Sequence, residues 1–278
     1  MQPDDGFLAI LLYVLRVKLG SKELAPLAVA GALSADDARE AEALEKHGFW
    51  GPAVRRFGFV ATEGPIAVLK ILSVFLMVSM FWALFDQYAS SWVEQARAMD
   101  RQFDLGFWQF TILPEQVSAV NPLMVMILVP VMAVWGYPAM ERVFRIEMTS
   151  LTRMTIGMFV ASLSFVVVAL LQQRLDAGQS VHVVWQVLAF FIITLAEVMV
   201  SVTGLEFSYT QAPKRMKSLI MGFWLFTVAL GNKLVAILAG FQGMPWVTFF
   251  WTFAGLMAGA AVIFGIRARF YQYKTYTQ

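Results

Sequence analysis

The chain contains no cysteine. Disulfides, thiolate metal sites and cysteine nucleophiles are thereby excluded, and nothing follows about redox compartment. Histidine is almost as scarce. His47 and His182 are the only two and lie far apart in sequence, so a zinc or di-iron site is not expected. Charge is scarce as well: 14% of the 278 residues are Asp, Glu, Lys or Arg, against about 25% in soluble domains. The formal net charge of +2 offers no broad electrostatic footprint for nucleic acid. No G-x-S-x-G elbow, H-E-x-x-H pair or phosphate-binding G-x-x-x-x-G-K-[ST] loop occurs, so no enzyme is expected. What is abundant is apolar: 59% of residues are hydrophobic, and the mean hydropathy is +0.66. That balance points to an integral membrane protein.

The start does not read as a secretory signal. Asp4 and Asp5 stand where basic residues are expected, and no small-residue cleavage site follows the apolar run Phe7–Leu15. That run is shorter than the ~20 residues needed to cross a bilayer. Arg16, Lys18 and Lys22 follow it, so an interfacial or packed helix is expected. SADDAREAEALEKHGF reads as one short helix, with Ser34 as its cap, Asp36 and Asp37 in its first turn and Gly48 at its end. Six long apolar segments follow, with spans expected near 66–88, 119–140, 154–172, 183–206, 216–239 and 246–267. Each is long enough to cross about 30 Å of hydrocarbon. Residues 92–118 read as a long loop. Lys and Arg concentrate in residues 1–62, 141–153, 210–217 and the tail, while the opposite ends carry only Arg97, Arg101 and Arg174. The positive-inside rule therefore predicts both termini in the cytoplasm.

Polar groups within the apolar segments are the informative positions. In FWALFDQYASSW, residues 81–92, Trp82 and Asp86 are four apart and share a helix face. A carboxylate at membrane depth costs roughly 2.5–3.5 kcal/mol on insertion scales. Asp86 is either a titratable gate on an aqueous face or a group solvated at the interface beside Ser90 and Ser91. Asn121 precedes Pro122 at the start of the second segment, as a helix cap or as a polar contact, and Pro130 is expected to interrupt that helix. Glu197 is deep by any choice of edges and shares a face with Ser201. It is a candidate proton carrier, with a structural hydrogen bond to a neighbouring helix as the other reading. Glu206 lies nearer the cytoplasmic end and reads as solvated. Trp224 is deeper than the usual interfacial tryptophan, as a cavity wall or as packing.

These stretches, in order, resemble the proton-dependent oligopeptide transporters of the major facilitator superfamily. FWALFDQ followed by W-x-x-Q-A (Trp92 to Ala96) is similar to the start of that family's C-terminal half. An Asn-Pro-initiated helix comes next, and GLEFSYTQAP with GFWLFTVALGN is similar to its tenth and eleventh helices. The likeness runs over roughly residues 50–270. It implies that Trp82 and Asp86 lie on the seventh helix, with the carboxylate in the extracellular gate and in proton coupling. It implies that Asn121 contacts the peptide backbone, that Glu197 faces the peptide's amino terminus beside Ser201, and that Trp224 walls the pocket.

The family has twelve core spans, and six are expected here. Its E-x-x-E-R-F-x-Y-Y signature is absent. The resemblance thus implies an all-α integral membrane protein whose six transmembrane helices form the C-terminal half of a major facilitator bundle. Residues 1–62 would be a cytoplasmic helical linker, 63–270 the six-helix half-bundle and 271–278 a cytoplasmic tail. The implied activity is proton-coupled di- or tripeptide symport across the inner (plasma) membrane, with protons as coupling ion and no other cofactor. The implied partners are the lipid bilayer, the peptide and a separate or missing N-terminal six-helix half. Met1 falls where the linker would begin, which fits a split gene, a truncated frame or a mis-assigned start. The alternatives are a non-transporting remnant or assembly subunit, a six-span channel, and a family member moving nitrate or amino-acid derivatives.

Overall fold

The computed structural model describes residues 6–27, 35–239 and 244–273, without the side chains of residues 36, 47, 238 and 239. The expected Ser34 cap, the Asp36 side chain and the tail beyond residue 273 lie outside the described residues.

Thirteen α-helices and one hairpin follow one another among the described residues. They are α1 (Phe7–Lys18), α2 (Ala35–His47), α3 (Gly51–Phe57), α4 (Phe59–Phe85), α5 (Ser91–Arg97), β1 (Gln102–Asp104), β2 (Gln109–Thr111) and α6 (Pro114–Val117). Then come α7 (Val120–Val131), α8 (Tyr137–Phe144), α9 (Ser150–Asp176), α10 (Val184–Glu197), α11 (Thr203–Gln211), α12 (Lys217–Ala239) and α13 (Trp246–Arg269). Among the described residues, six segments are long and apolar enough to cross a membrane: Phe59–Arg97, Pro114–Phe144, Ser150–Asp176, Val184–Gln211, Lys214–Ile237 and Trp246–Arg269. Each contains the greater part of one expected span. The protein is an all-α membrane protein.

Two spans contain a π turn. The second widens into a π turn at Met132–Gly136, and the fourth does so at Val198–Val202. The expected break at Pro130 is displaced: α7 continues through that proline, and the irregularity falls between it and Pro138 at the start of α8. Pro138 has no N–H to donate and its ring crowds the preceding turn, which accounts for local widening there. The two π turns pack on each other, because Leu128, Met132, Tyr137, Val198 and Met199 form one buried cluster.

Residues 92–118 are not the loop that their polarity suggests. Ser91–Arg97 is helical, and Phe103 stacks on Phe110 across the hairpin with ring centroids 5.2 Å apart. Gly106 takes φ +80° in the turn, where a side chain would be strained. Asp104 carboxylate oxygens accept from the Gly106 N–H (2.8 Å) and the Gln109 amide (2.8 Å). The local turn chemistry, rather than a long apolar run, builds this segment.

The chain divides into two compact units. One comprises Met1–Ser73, Thr210–Met221 and Lys274–Gln278, the other Val74–Tyr209 and Gly222–Tyr273. In the first unit, Ile10 and Val14 of α1 bury against Ala53 of α3, with Trp50, Phe57 and Ala61 around them. The α3 helix ends at Gly58, whose φ of +84° favours glycine, and α4 starts at the next residue. The Arg55 guanidinium pairs with the Glu23 carboxylate, through Nε at 2.9 Å and also through Nη2.

In the second unit α9 lies between α13 and α10, and α10 also packs on α7. Membrane helices approach closely where side chains are small. Gly157 of α9 receives Met199 and Val200, where an added Cβ would lie 2.8 Å from each. Gly231 of α12 sits against the backbone of Ser79 and Ala83 on α4. Three buried glutamines tie α5 to α9 and α10. Gln95 donates to Val168 O (3.0 Å) and Gln172 Oε1 (2.9 Å), while Gln186 donates to Trp92 O (2.9 Å) and Gln95 Oε1 (3.2 Å).

Candidate functional site

Asp86 opens a 3-10 turn, Asp86–Ala89, directly after α4. It is half-buried, and the Asn232 side chain of α12 is hydrogen-bonded to it. Among the described residues the partner it finds is a neutral amide rather than a cation. The residues around it are aromatic. Trp82 rests edge-on against Phe85 at 5.7 Å and Trp224 at 6.0 Å, and Trp224 meets Phe75 at 5.1 Å. Phe85 continues to Tyr88 at 4.9 Å, and Tyr88 to Phe190 on α10 at 6.2 Å. Trp82 and Trp224 are 9% and 4% exposed, so each is a packed wall rather than a wetted surface. Gly204 makes room for Trp224, since a Cβ there would lie 2.5 Å from the indole. The Trp82 Nε1 is a buried donor without a hydrogen-bond partner among the described residues.

The second cluster joins α7 to α10. Asn121 is the second residue of α7, after the cap position Ala119, and it is 4% exposed. Its amide is not used as a cap. Nδ2 donates to Thr194 Oγ1 at 2.9 Å and to Glu197 Oε2 at 3.0 Å. The Thr194 hydroxyl donates onward to Phe190 O at 2.7 Å. That last bond fixes the amide's orientation: a hydroxyl whose single proton is spent on a carbonyl must accept from its other neighbour. Both amide protons of Asn121 are then engaged, leaving Oδ1 as its acceptor. Glu197 is the last residue of α10, partly buried, directly before the π turn. Ser201 lies inside that turn, also partly buried. π turns concentrate at functional positions.

The structure therefore gathers Asn121 with Glu197, and Trp82 with Asp86 and Trp224. Tyr88 lies within electrostatic reach of both Asp86 and Glu197. Three contributors were not singled out from sequence. Thr194 sits three residues before Glu197 on the same helix face, a spacing that could have flagged it. Asn232 and Tyr88 carry no local signal, because their importance depends on which helices meet. Chemically, the α7–α10 cluster presents a carboxylate for a cationic group and an amide oxygen for an N–H donor. Glu206 is exposed, as expected of a solvated group, and lies 3.8 Å from Arg153 Nη1, whose guanidinium is 4.2 Å over the Tyr137 ring.

Residues 62–251 match the model of the POT family (PTR2). The chain is 48% identical over 97 residues to "Solute carrier family 15 member 2" of Danio rerio, a stretch covering 34% of this chain and 13% of that protein. It is 39% identical over 109 residues to "Peptide transporter 3" of Caenorhabditis elegans, covering 39% and 15%. Among solved structures, an auto-inhibited POT family peptide transporter superposes with TM-score 0.74 at 28% identity, over 100% of this chain and 60% of that one. The POT family transporter PepTSo superposes with TM-score 0.69 at 31% identity, over 97% and 59%. The chain thus spans less than two thirds of the length of these relatives, while the family match takes in four of its six spans whole, nearly all of the first and the start of α13. By that match, the chain belongs to the POT family.

Proposed function

We propose that these six spans form the C-terminal wall of a proton-coupled di- or tripeptide symporter. They would work against six further helices from an N-terminal half, in the inner (plasma) membrane and with both described ends on the cytoplasmic face. The observation that carries the reading is the Asn121–Thr194–Glu197 cluster. A zwitterionic peptide needs a buried carboxylate for its ammonium and a neutral amide for its backbone, and the cluster offers both. In major facilitators the substrate site lies near mid-membrane between the two halves. The basic groups for the peptide carboxylate would come from the other half. Asp86 and Glu197 are the proposed proton-coupling and gate carboxylates, and Trp82, Asn121, Glu197, Ser201 and Trp224 the proposed substrate side. Protonation would bias the assembly between outward- and inward-open states, an effect limited by its differential free energy in the two states. The names of the relatives support peptides as the substrate class.

The test is uptake of a labelled dipeptide into proteoliposomes holding this chain together with an N-terminal six-helix half. Glu197→Gln is expected to abolish uptake driven by a proton gradient. Undiminished proton-driven accumulation in that variant rejects the assignment. Uptake by this chain alone, at the rate of the assembled pair, rejects the shared site.

A further inference from the structure

The α1 helix has two apolar faces, and only one of them is packed. Ile10 and Val14 are fully buried against the first unit's α3 and the start of α4. On the same side Tyr13 meets Phe57 edge-on at 5.5 Å, and its hydroxyl accepts from the Leu24 N–H at 3.1 Å. Leu8, Leu12, Leu15 and Leu19 point elsewhere and are all exposed, at 64%, 49%, 39% and 86%. At about 100° per residue, these four leucines fall within an arc of about 60°. The same arithmetic puts Arg16 about 80° to one side of Leu8 and Lys18 about 80° to the other. Both basic side chains are exposed. The unpacked face is thus a leucine stripe with a cation along each border.

A helix of 12 residues is about 18 Å long and cannot cross hydrocarbon about 30 Å thick. It is nonetheless held at the membrane, because it packs on α3 and Ala61, where the first spanning helix begins. An apolar stripe bordered by long cationic side chains suits the boundary between acyl chains and headgroups. The leucines enter the hydrocarbon edge while Arg16 and Lys18 reach up to phosphates.

We propose that α1 lies flat in the membrane interface at the N-terminal end of α4. Its leucine stripe is immersed in lipid, and Arg16 and Lys18 contact anionic phospholipid headgroups. This goes beyond the transport reading and does not depend on it.

The absence of cysteine makes the test direct, because single reporters can be placed without background. Leu12→Cys and Leu19→Cys remove side chains from the unpacked face, so the first unit's core is left as it is. Each is labelled with bimane in nanodiscs of mixed zwitterionic and anionic phospholipid. Quenching by a nitroxide near the headgroup is expected to exceed that by a nitroxide at the acyl end at least about twofold, since interfacial helices sit about 5–10 Å into the boundary. Aqueous iodide should quench several-fold less than it quenches free label. In the Arg16→Gln/Lys18→Gln background, the dependence of shallow quenching on anionic lipid should disappear. Strong iodide quenching at both positions overturns the proposal. So does protection from iodide and nitroxide lipid alike, because a protein surface would then cover the stripe.

Discussion

At the residue scale, small side chains decide which helices can meet. Gly231 is the sharpest case, because a Cβ there would lie 2.6 Å from Ser79 O and 2.8 Å from Ala83 N. Those are backbone atoms and cannot rotate away. Gly231→Ala should therefore cost about 1–3 kcal/mol or more, the range for overpacking. Gly259 of α13 has nothing within 4 Å of its would-be Cβ, so Gly259→Ala should be neutral or stabilising by up to about 1 kcal/mol. Denaturant unfolding of the two variants in mixed micelles checks the contrast. Nothing in the sequence separates the two glycines, since each lies in an apolar helix. Asn121 is similar: beside Pro122 it read as a cap or a contact. Only the register of α7 against α10 shows its amide reaching Thr194 and Glu197. Glu197 needed less, because its depth alone made it conspicuous.

Helices bring different evidence. Span positions were readable, because runs of about 20 apolar residues have few alternatives. The segment after α4 was not readable, since α5 is fastened by glutamines whose partners lie more than 70 residues away. Gln95→Leu keeps roughly the volume but removes bonds to Val168, Gln172 and Gln186, and should destabilise by about 2–4 kcal/mol. A double-mutant cycle with Gln172→Leu should give a coupling of about 0.5–3 kcal/mol. Additive effects would mean that the network is decorative. The first unit offers a titratable counterpart at Arg55 and Glu23. The hydrogen bond from Arg55 lowers the Glu23 carboxyl below the ordinary value of 4.5. Folded Glu23 then holds its proton more weakly than unfolded Glu23. Its contribution is complete above pH 4.5 and is lost as pH falls through the depressed value. Both groups are well exposed, so the loss should be at most about 1 kcal/mol. Glu23→Gln should abolish that pH dependence, as unfolding between pH 3 and 6 would report.

For the molecule as a whole, composition was enough to place it in a membrane, and ordered motifs were enough to suggest the family. What neither could supply is the pair of π turns: Pro130 and Pro138 flag span two without saying that it widens between them, and nothing in VMVSV departs from an ordinary apolar helix. Their consequence concerns insertions and deletions. A π turn is one residue more than the α-helical period requires. Excising one residue from Val198–Val202 would restore that period and leave Thr203–Gln211 facing nearly as it does now relative to Glu197, because the wider turn is what absorbs the extra residue. Glu206 would stay beside Arg153, and the face of α11 that receives Trp224 at Gly204 would still meet it, so the cost is local repacking rather than a lost register. The same holds for Met132–Gly136 and Tyr137. Since the two turns share one buried cluster, a deletion in both should destabilise less than the sum of the single deletions. Thermal unfolding of the three deletants measures this. Spans two and four each carry one residue that an ideal helix would not need, and each should lose it without turning the faces on either side.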